Sequence, residues 1–140
     1  MLLTIEKVMI MKTTDIFSET QEEVLAEVAT ALEEVHVKAG ETIIEKDDIG
    51  RAMYIIVQGK VRVHDGKRTI AILGERDVFG ELAALDPEPR MASVAAVEDT
   101  HLFQLNQDAL YELMAEHIEV VRGIIRVLCQ RLRAKAEAKS

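Results

Sequence analysis

Tryptophan is absent from this chain, and 140 residues hold only two tyrosines and three phenylalanines. So few rings argue against a base-stacking platform for single-stranded nucleic acid. Positive charge is also short. Seventeen Lys and Arg against 25 Asp and Glu leave a net charge of −8, the wrong sign for a surface that neutralises a duplex backbone. No nucleic acid is expected to bind. The single cysteine, Cys129, excludes an internal disulfide and suits a reducing, cytoplasmic compartment. It sits beside Leu128 with no histidine nearby, as a structural thiol would. No apolar run approaches the ~20 residues of a membrane span, and Glu6 and Lys7 interrupt any signal-peptide pattern at the amino terminus. The four histidines, His36, His64, His101 and His117, show no chelating spacing, and Ser93 lies in no nucleophile elbow. Neither catalysis nor a resident metal or cofactor is expected.

What the chain does have is a change of period. Leu2, Ile5, Val8 and Met9 recur at helical spacing, and a break follows at Thr13-Thr14-Asp15. Thr20-Gln21-Glu22-Glu23 reads as a capping box ahead of a helix with the apolar stripe Val24, Leu25, Val28, Ala29, Leu32. From residue 35 the pattern turns to short β-type runs at 35–37, 42–44, 53–58, 61–64, 69–73, 91–97 and 101–105, separated by glycine-bearing turns. Asp65-Gly66 is the clearest hairpin signal, read as a type I′ turn with positive φ at both central positions. Many short strands with regular turns mean a sandwich, barrel or jelly roll. Asn106 can cap a helix from Gln107 onward. Within it Met114, Ile118, Val121, Ile125, Leu128 and Leu132 form an a/d seam over about three heptads. Arginines and lysines interleave the seam and make this end of an acidic chain basic. Packing on the strands, a mobile lid and a dimer interface are all open to such a seam.

Both prolines, Pro87 and Pro89, fall in one stretch, Val78-Phe79-Gly80-Glu81-Leu82-Ala83-Ala84-Leu85-Asp86-Pro87-Glu88-Pro89-Arg90-Met91-Ala92-Ser93-Val94. Gly80 permits positive φ or a close backbone approach. Residues 81–85 read as one helical turn broken by Asp86-Pro87. The first N–H groups of such a turn point outward and suit an anion. Arg90 adds a planar fork of donors for a phosphate. Glu81 cannot hold the same anion and is suited to accepting hydrogen bonds from hydroxyls. Hydroxyls and a phosphate in one small site suggest a nucleotide sugar.

Phe79-Gly80-Glu81-Leu82-Ala83 followed by Pro89-Arg90-Met91-Ala92-Ser93-Val94 resembles the phosphate-binding cassette of cyclic-nucleotide-binding domains, found in cAMP-dependent kinase regulatory subunits, catabolite-activator-type regulators and cyclic-nucleotide-gated channels. Gly40, Gly59 and the run Met53-Tyr54-Ile55-Ile56-Val57-Gln58-Gly59 extend the resemblance over roughly 17–131. It implies a mainly β fold: a jelly-roll β-barrel over about 35–105, with helices over about 2–33 and 107–137, all one domain. It also implies roles. Arg90 pairs with the exocyclic phosphate oxygens, and Glu81 accepts the ribose 2′-hydroxyl. The backbone at Gly80, Leu82, Ala83, Met91 and Ala92 completes the cradle, and Val63, Ala71 and Leu73 flank the ligand. Leu128 and Arg131 stand where a lid is expected, although Lys135-Ala136 does not reproduce the Thr-Ser pair of catabolite activators. Met91, where cGMP-preferring relatives often carry threonine, leans the ligand to cAMP over cGMP. The expected function is a non-enzymatic regulatory module that signals through its terminal helices to a fused or separate effector. The alternative is a dimerisation or scaffold module of the same fold, with a homodimer through the carboxy-terminal helix. Related regulators continue into a helix-turn-helix that this sequence does not contain, so a receiver without an output is expected.

Overall fold

The computed structural model describes residues 1–80, Leu85 and 89–139. The chain divides into two compact units, one of Ala31–Tyr111 with Met1, the other of Leu2–Thr30 and Glu112–Ser140. The first is the β unit. Its strands are β1 (Glu33–Val37), β2 (Thr42–Ile44), β3 (Ala52–Gln58), β4 (Val61–Asp65), β5 (Arg68–Leu73), β6 (Val78–Phe79), β7 (Ser93–Ala96) and β8 (Thr100–Asn106). They pair antiparallel in two sheets, ordered β1-β8-β3-β6 and β2-β7-β4-β5. The mainly β, jelly-roll-type fold is therefore present with its flanking helices. Its sheets are not closed into the expected barrel. Among the described residues no ladder joins one sheet to the other, and the edge strands β6 and β2 offer only two and three residues for one.

Alternation places the core between these sheets. Val37, Ile56, Phe79 and Leu102 from the first sheet meet Ile44, Val61, Val94 and Ala96 from the second, all buried. Val35, Ile43, Tyr54, Val63 and Leu73 pack against this cluster while half exposed. The core thus has a partly open margin, a place where apolar area can still be covered.

The predicted hairpin is present, with its turn shifted. Asp65 pairs with Arg68, so the loop is Gly66-Lys67, and positive φ occurs at Gly66 (59°) but not at its neighbours. One positive φ, at the first central position, is the pattern of a type II′ turn and not of the expected I′.

The helical unit is built from α1 (Thr4–Lys12), most of α2 (Glu22–Ala31), the end of α3 (Gln107–Glu116) and α4 (Ile118–Lys139). In α1 the expected stripe is only partly buried: Val8 and Met11 are inside, whereas Ile5 and Met9 face solvent. All four stripe residues within α2 are buried, and so is Leu32 beyond its end. Its cap differs from the capping box read in the sequence. Thr20 is buried with its hydroxyl unbonded. Gln21 precedes the helix instead, its carbonyl accepting from Val24 and Leu25 at 3.1 and 3.0 Å and its N–H donating to Glu119 Oε2 at 3.1 Å.

The long helix is interrupted at His117, which lies between α3 and α4. The seam read in the sequence is not the buried face of α4. Val120, Ile124 and Val127 are inside, while Ile118, Ile125 and Leu132 are exposed and Val121 and Leu128 half-buried. At about 100° per residue the two apolar stripes lie ~120° apart around the helix. Side chains of α4 also grip the amino-terminal segment. Arg126 pairs with Glu19 and donates to the Asp15 carbonyl at 2.9 Å and Ser18 Oγ at 3.3 Å.

His117 supplies a further tie, its Nε2 2.8 Å from Glu27 Oε2. That hydrogen bond, opposed by burial and helped by the charges of Glu27, Glu116 and Glu119, holds the imidazole above its ordinary value of 6.5. A raised folded pKa favours the protonated folded state, so the stabilisation is complete below about pH 6.5 and fades as pH rises through the folded value. Glu27→Gln is therefore expected to lower the melting temperature at about pH 5.5 and to leave it unchanged near pH 9. Equal shifts at both pH values would mean that the pair contributes no proton-linked stability.

Candidate functional site

Arg90 is placed by its backbone before its side chain is considered. Its N–H donates to the Asp48 carbonyl and its own carbonyl accepts from Asp47 N–H, both at 2.8 Å, flanking an isolated bridge between Ile49 and Pro89. Asp47 turns the loop at a φ of 74°. Ser93 Oγ accepts from Lys46 N–H at 2.9 Å, securing the same loop to the start of β7. The guanidinium then donates through Nη2 to the Ala52 carbonyl at 3.1 Å and, at a long 3.4 Å, through Nη1 to the Gly80 carbonyl. Both acceptors are neutral, and among the described residues no carboxylate forms an ion pair with it. Burial accordingly pushes the Arg90 pKa down, with Tyr54 partly offsetting the shift. Burial raises that of Tyr54. The Tyr54 ring is stacked on Phe79 with centroids 5.1 Å apart. Arg90, Tyr54, Ala52 and Gly50 share a cavity of about 490 Å³ with Gln104 and Asn106 of β8.

This arrangement gathers some of the residues named from the sequence and leaves others apart. Gly80 takes a φ of 79° and contributes its carbonyl, so it is where Arg90 needs it. Val63 and Ala71 are direct partners on β4 and β5, and Val63 and Leu73 pack against the same core as Tyr54, but none of the three lines the Arg90 cavity. Met91 is 81% exposed and Ala92 half-buried. Glu81, Leu82 and Ala83 lie outside the described residues, as does the rest of the predicted helical turn except Leu85, whose carbonyl accepts from the Tyr111 hydroxyl. Leu128 is half-buried, and Arg131 approaches Asp15 at 4.0 Å, both within the helical unit. The sequence reading missed Ala52, Tyr54 and Gly50 as neighbours of Arg90, because contacts across some 40 positions leave no local signature.

Gly50 is the most telling of the three. A Cβ there would overlap Nε, Cζ and Nη2 of Arg90. The guanidinium is the end of a flexible side chain, so Gly50→Ala is expected to move Arg90 off the Ala52 carbonyl without unfolding the chain. A loss of about fivefold or more in affinity for a phosphate ligand should follow, and it should vanish in an Arg90→Ala background. An undiminished loss in that background would place the effect elsewhere.

Residues 34–117 match the cyclic nucleotide-binding domain family. The chain is 32% identical over 123 residues to the CRP-like cAMP-activated global transcriptional regulator of Mycobacterium tuberculosis, a match covering 84% of this chain and 55% of that one. Among solved structures, the catabolite activator protein of Thermus thermophilus superposes with a TM-score of 0.81 at 32% identity, over 90% of this chain and 62% of that one. The regulatory domain of Toxoplasma gondii PKA, co-crystallised with cAMP, gives a TM-score of 0.72 at 29% identity, over 79% and 44%. The chain spans about half the length of the full regulators it matches. Among the described residues no helix is long and apolar enough to cross a membrane. Its matching stretch covers more than half of its residues: the chain belongs to the cyclic nucleotide-binding domain family.

Proposed function

We propose that this domain is a cAMP receptor whose phosphate site is centred on Arg90. One observation carries the reading: a half-buried guanidinium that, among the described residues, is bonded only to neutral carbonyls, one of them at 3.4 Å, beside a cavity large enough for a ligand. A phosphate supplies the counter-charge that burial makes valuable, and charge-assisted bonds contribute about 1.5–3 kcal/mol each. Glu81 accepts the ribose 2′-hydroxyl, and the backbone of Gly80, Leu82, Ala83, Met91 and Ala92 completes the cradle. The half-buried Val63, Ala71 and Leu73 give the base an apolar margin. The M. tuberculosis and T. gondii relatives, a cAMP-activated regulator and a domain crystallised with cAMP, support that choice of ligand.

Occupancy is read out through the terminal helices to a fused or separate effector in a reducing, cytoplasmic setting. The bonds from Arg126, Glu119 and His117 to residues 15–27 support such a route, because they make α4 and the amino-terminal segment move together. Leu128 and Arg131 are the residues expected to close on the ligand. Calorimetric titration with cAMP, cGMP and cyclic dinucleotides tests the reading. The expected outcome is a cAMP dissociation constant between about nanomolar and tens of micromolar, with cGMP weaker. Amide exchange over 118–135 should slow on binding. No heat at millimolar cAMP would favour the second reading, a dimerisation module, which the exposed Ile118, Ile125 and Leu132 support independently.

A further inference from the structure

The β1–β8 ladder brings together histidines that the sequence keeps far apart, so the absence of a chelating spacing does not mean the absence of a chelating set. His36 and His101 are direct cross-strand partners, their rings stacked with centroids 4.2 Å apart and planes 17° from parallel. Glu34 precedes His36 by two residues and so shares its face of the strand, opposite to the core residues Val35 and Val37. One ligating atom from each of Glu34, His36 and His101 lies within 4.8 Å of the others.

Glu34 Oε1 stands 2.9 Å from the buried Nε2 of His101. A ring nitrogen and a carboxylate oxygen held this close, beside a second imidazole, are donors that one metal cation could join. We infer that Glu34, His36 and His101 form a binding site for a divalent transition-metal ion of the zinc class. Two imidazoles and one carboxylate are borderline N and O donors, suited to zinc, copper or nickel over calcium or magnesium.

The remaining geometry suits the ion. Tetrahedral zinc needs its ligand atoms about 3.4 Å apart, with metal bonds of about 2.0–2.1 Å to nitrogen. His36 is exposed and its ring is able to rotate into that spacing, while the ladder holds both backbones in place. A cavity of about 460 Å³ adjoins the two rings and leaves the fourth position open to water. Glu41 and Asp99 also line it and, with Glu34, outnumber the two ammonium groups that act there, that of Lys38 and that of the amino terminus. The Glu41 and Asp99 carboxylates already accept backbone N–H groups, from Lys38 and Ala39, and would act on the ion through charge and not as ligands. All three ligands belong to the β unit, on a face apart from the Arg90 cavity.

The test uses the full chain, stripped with EDTA and titrated with zinc chloride by calorimetry in a non-chelating buffer. Cobalt(II) is followed in parallel by its visible absorption. One ion per chain with a dissociation constant of about micromolar is expected, weakened about tenfold or more by His36→Gln and by Glu34→Gln. The exposure of His36 means that its variant should keep the parent melting temperature, so a lost ion reports on ligation and not on folding. A second cluster, Glu27, Glu116 and His117, provides the control. His117→Gln should leave zinc affinity within about twofold of the parent, since His117 is already engaged by Glu27. Zinc binding that survives His36→Gln, that is lost with His117→Gln, or that is weaker than about millimolar overturns the assignment.

Discussion

Arg90→Ala is expected to weaken cAMP binding by about 100-fold while hardly changing the stability of the ligand-free chain. The two halves of that expectation have separate causes. Among the described residues the half-buried guanidinium of the ligand-free chain is bonded to two neutral carbonyls, which engage two of its donors without compensating its charge. Removing it leaves the Ala52 carbonyl short of a partner, a loss of about 1 kcal/mol, but also removes a partly desolvated cation. These effects oppose each other, so the melting temperature should move by only a few degrees. On the proposed reading the cation would hold a doubly hydrogen-bonded phosphate, and about 3 kcal/mol should be lost with it, which is roughly 100-fold in affinity. Arg90→Lys should recover only part, because an ammonium reaches one oxygen where the fork reaches two. Calorimetry and thermal melts on the same preparations separate the two effects. Affinity within about threefold of the parent would remove Arg90 from the phosphate site.

The fold was legible where burial alone decides the pattern. Ile55 and Ile56 in β3, or the stripe from Val24 to Leu32, need nothing from distant residues to announce themselves. What stayed hidden depends on long-range partners. Thr20 carries the right side chain for a cap, but it is buried and Gln21 is capped from Glu119, almost a hundred positions away. Asp65-Gly66 marked a hairpin correctly, yet its register is set by the β4–β5 pairing and moved the turn by one residue. For the site, Arg90 was readable as a candidate phosphate partner from residue type and spacing. The carbonyls of Ala52 and Gly80 were not, since any residue type has a carbonyl. His36 and His101 make the same point for histidines: only the register of β1 on β8 reveals them as neighbours.

The same distinction leads to the remaining large effect. Ile118, Ile125 and Leu132 recur every seventh position on one stripe of α4, at 63, 55 and 68% exposure, while Val120, Ile124 and Val127 supply its buried face. An apolar stripe of heptad period is what a second helix would cover, and half-buried Val121 and Leu128 extend the same stripe. A two-fold pairing of α4 would set Ile125 close to its own copy. Burying roughly 100 Å² of such a side chain contributes about 2.5 kcal/mol, counted once from each chain. Ile125→Glu removes that burial and sets two carboxylates against each other, so dimer dissociation should become at least about 100-fold easier. Because Ile125 is exposed within the single chain, the variant monomer should melt as the parent monomer does. Sedimentation equilibrium of both proteins, with and without cAMP, gives the dissociation constants. A parent chain that stays monomeric at about 100 μM, or a variant that dimerises as tightly as the parent, would mean that this stripe does not serve a homodimer.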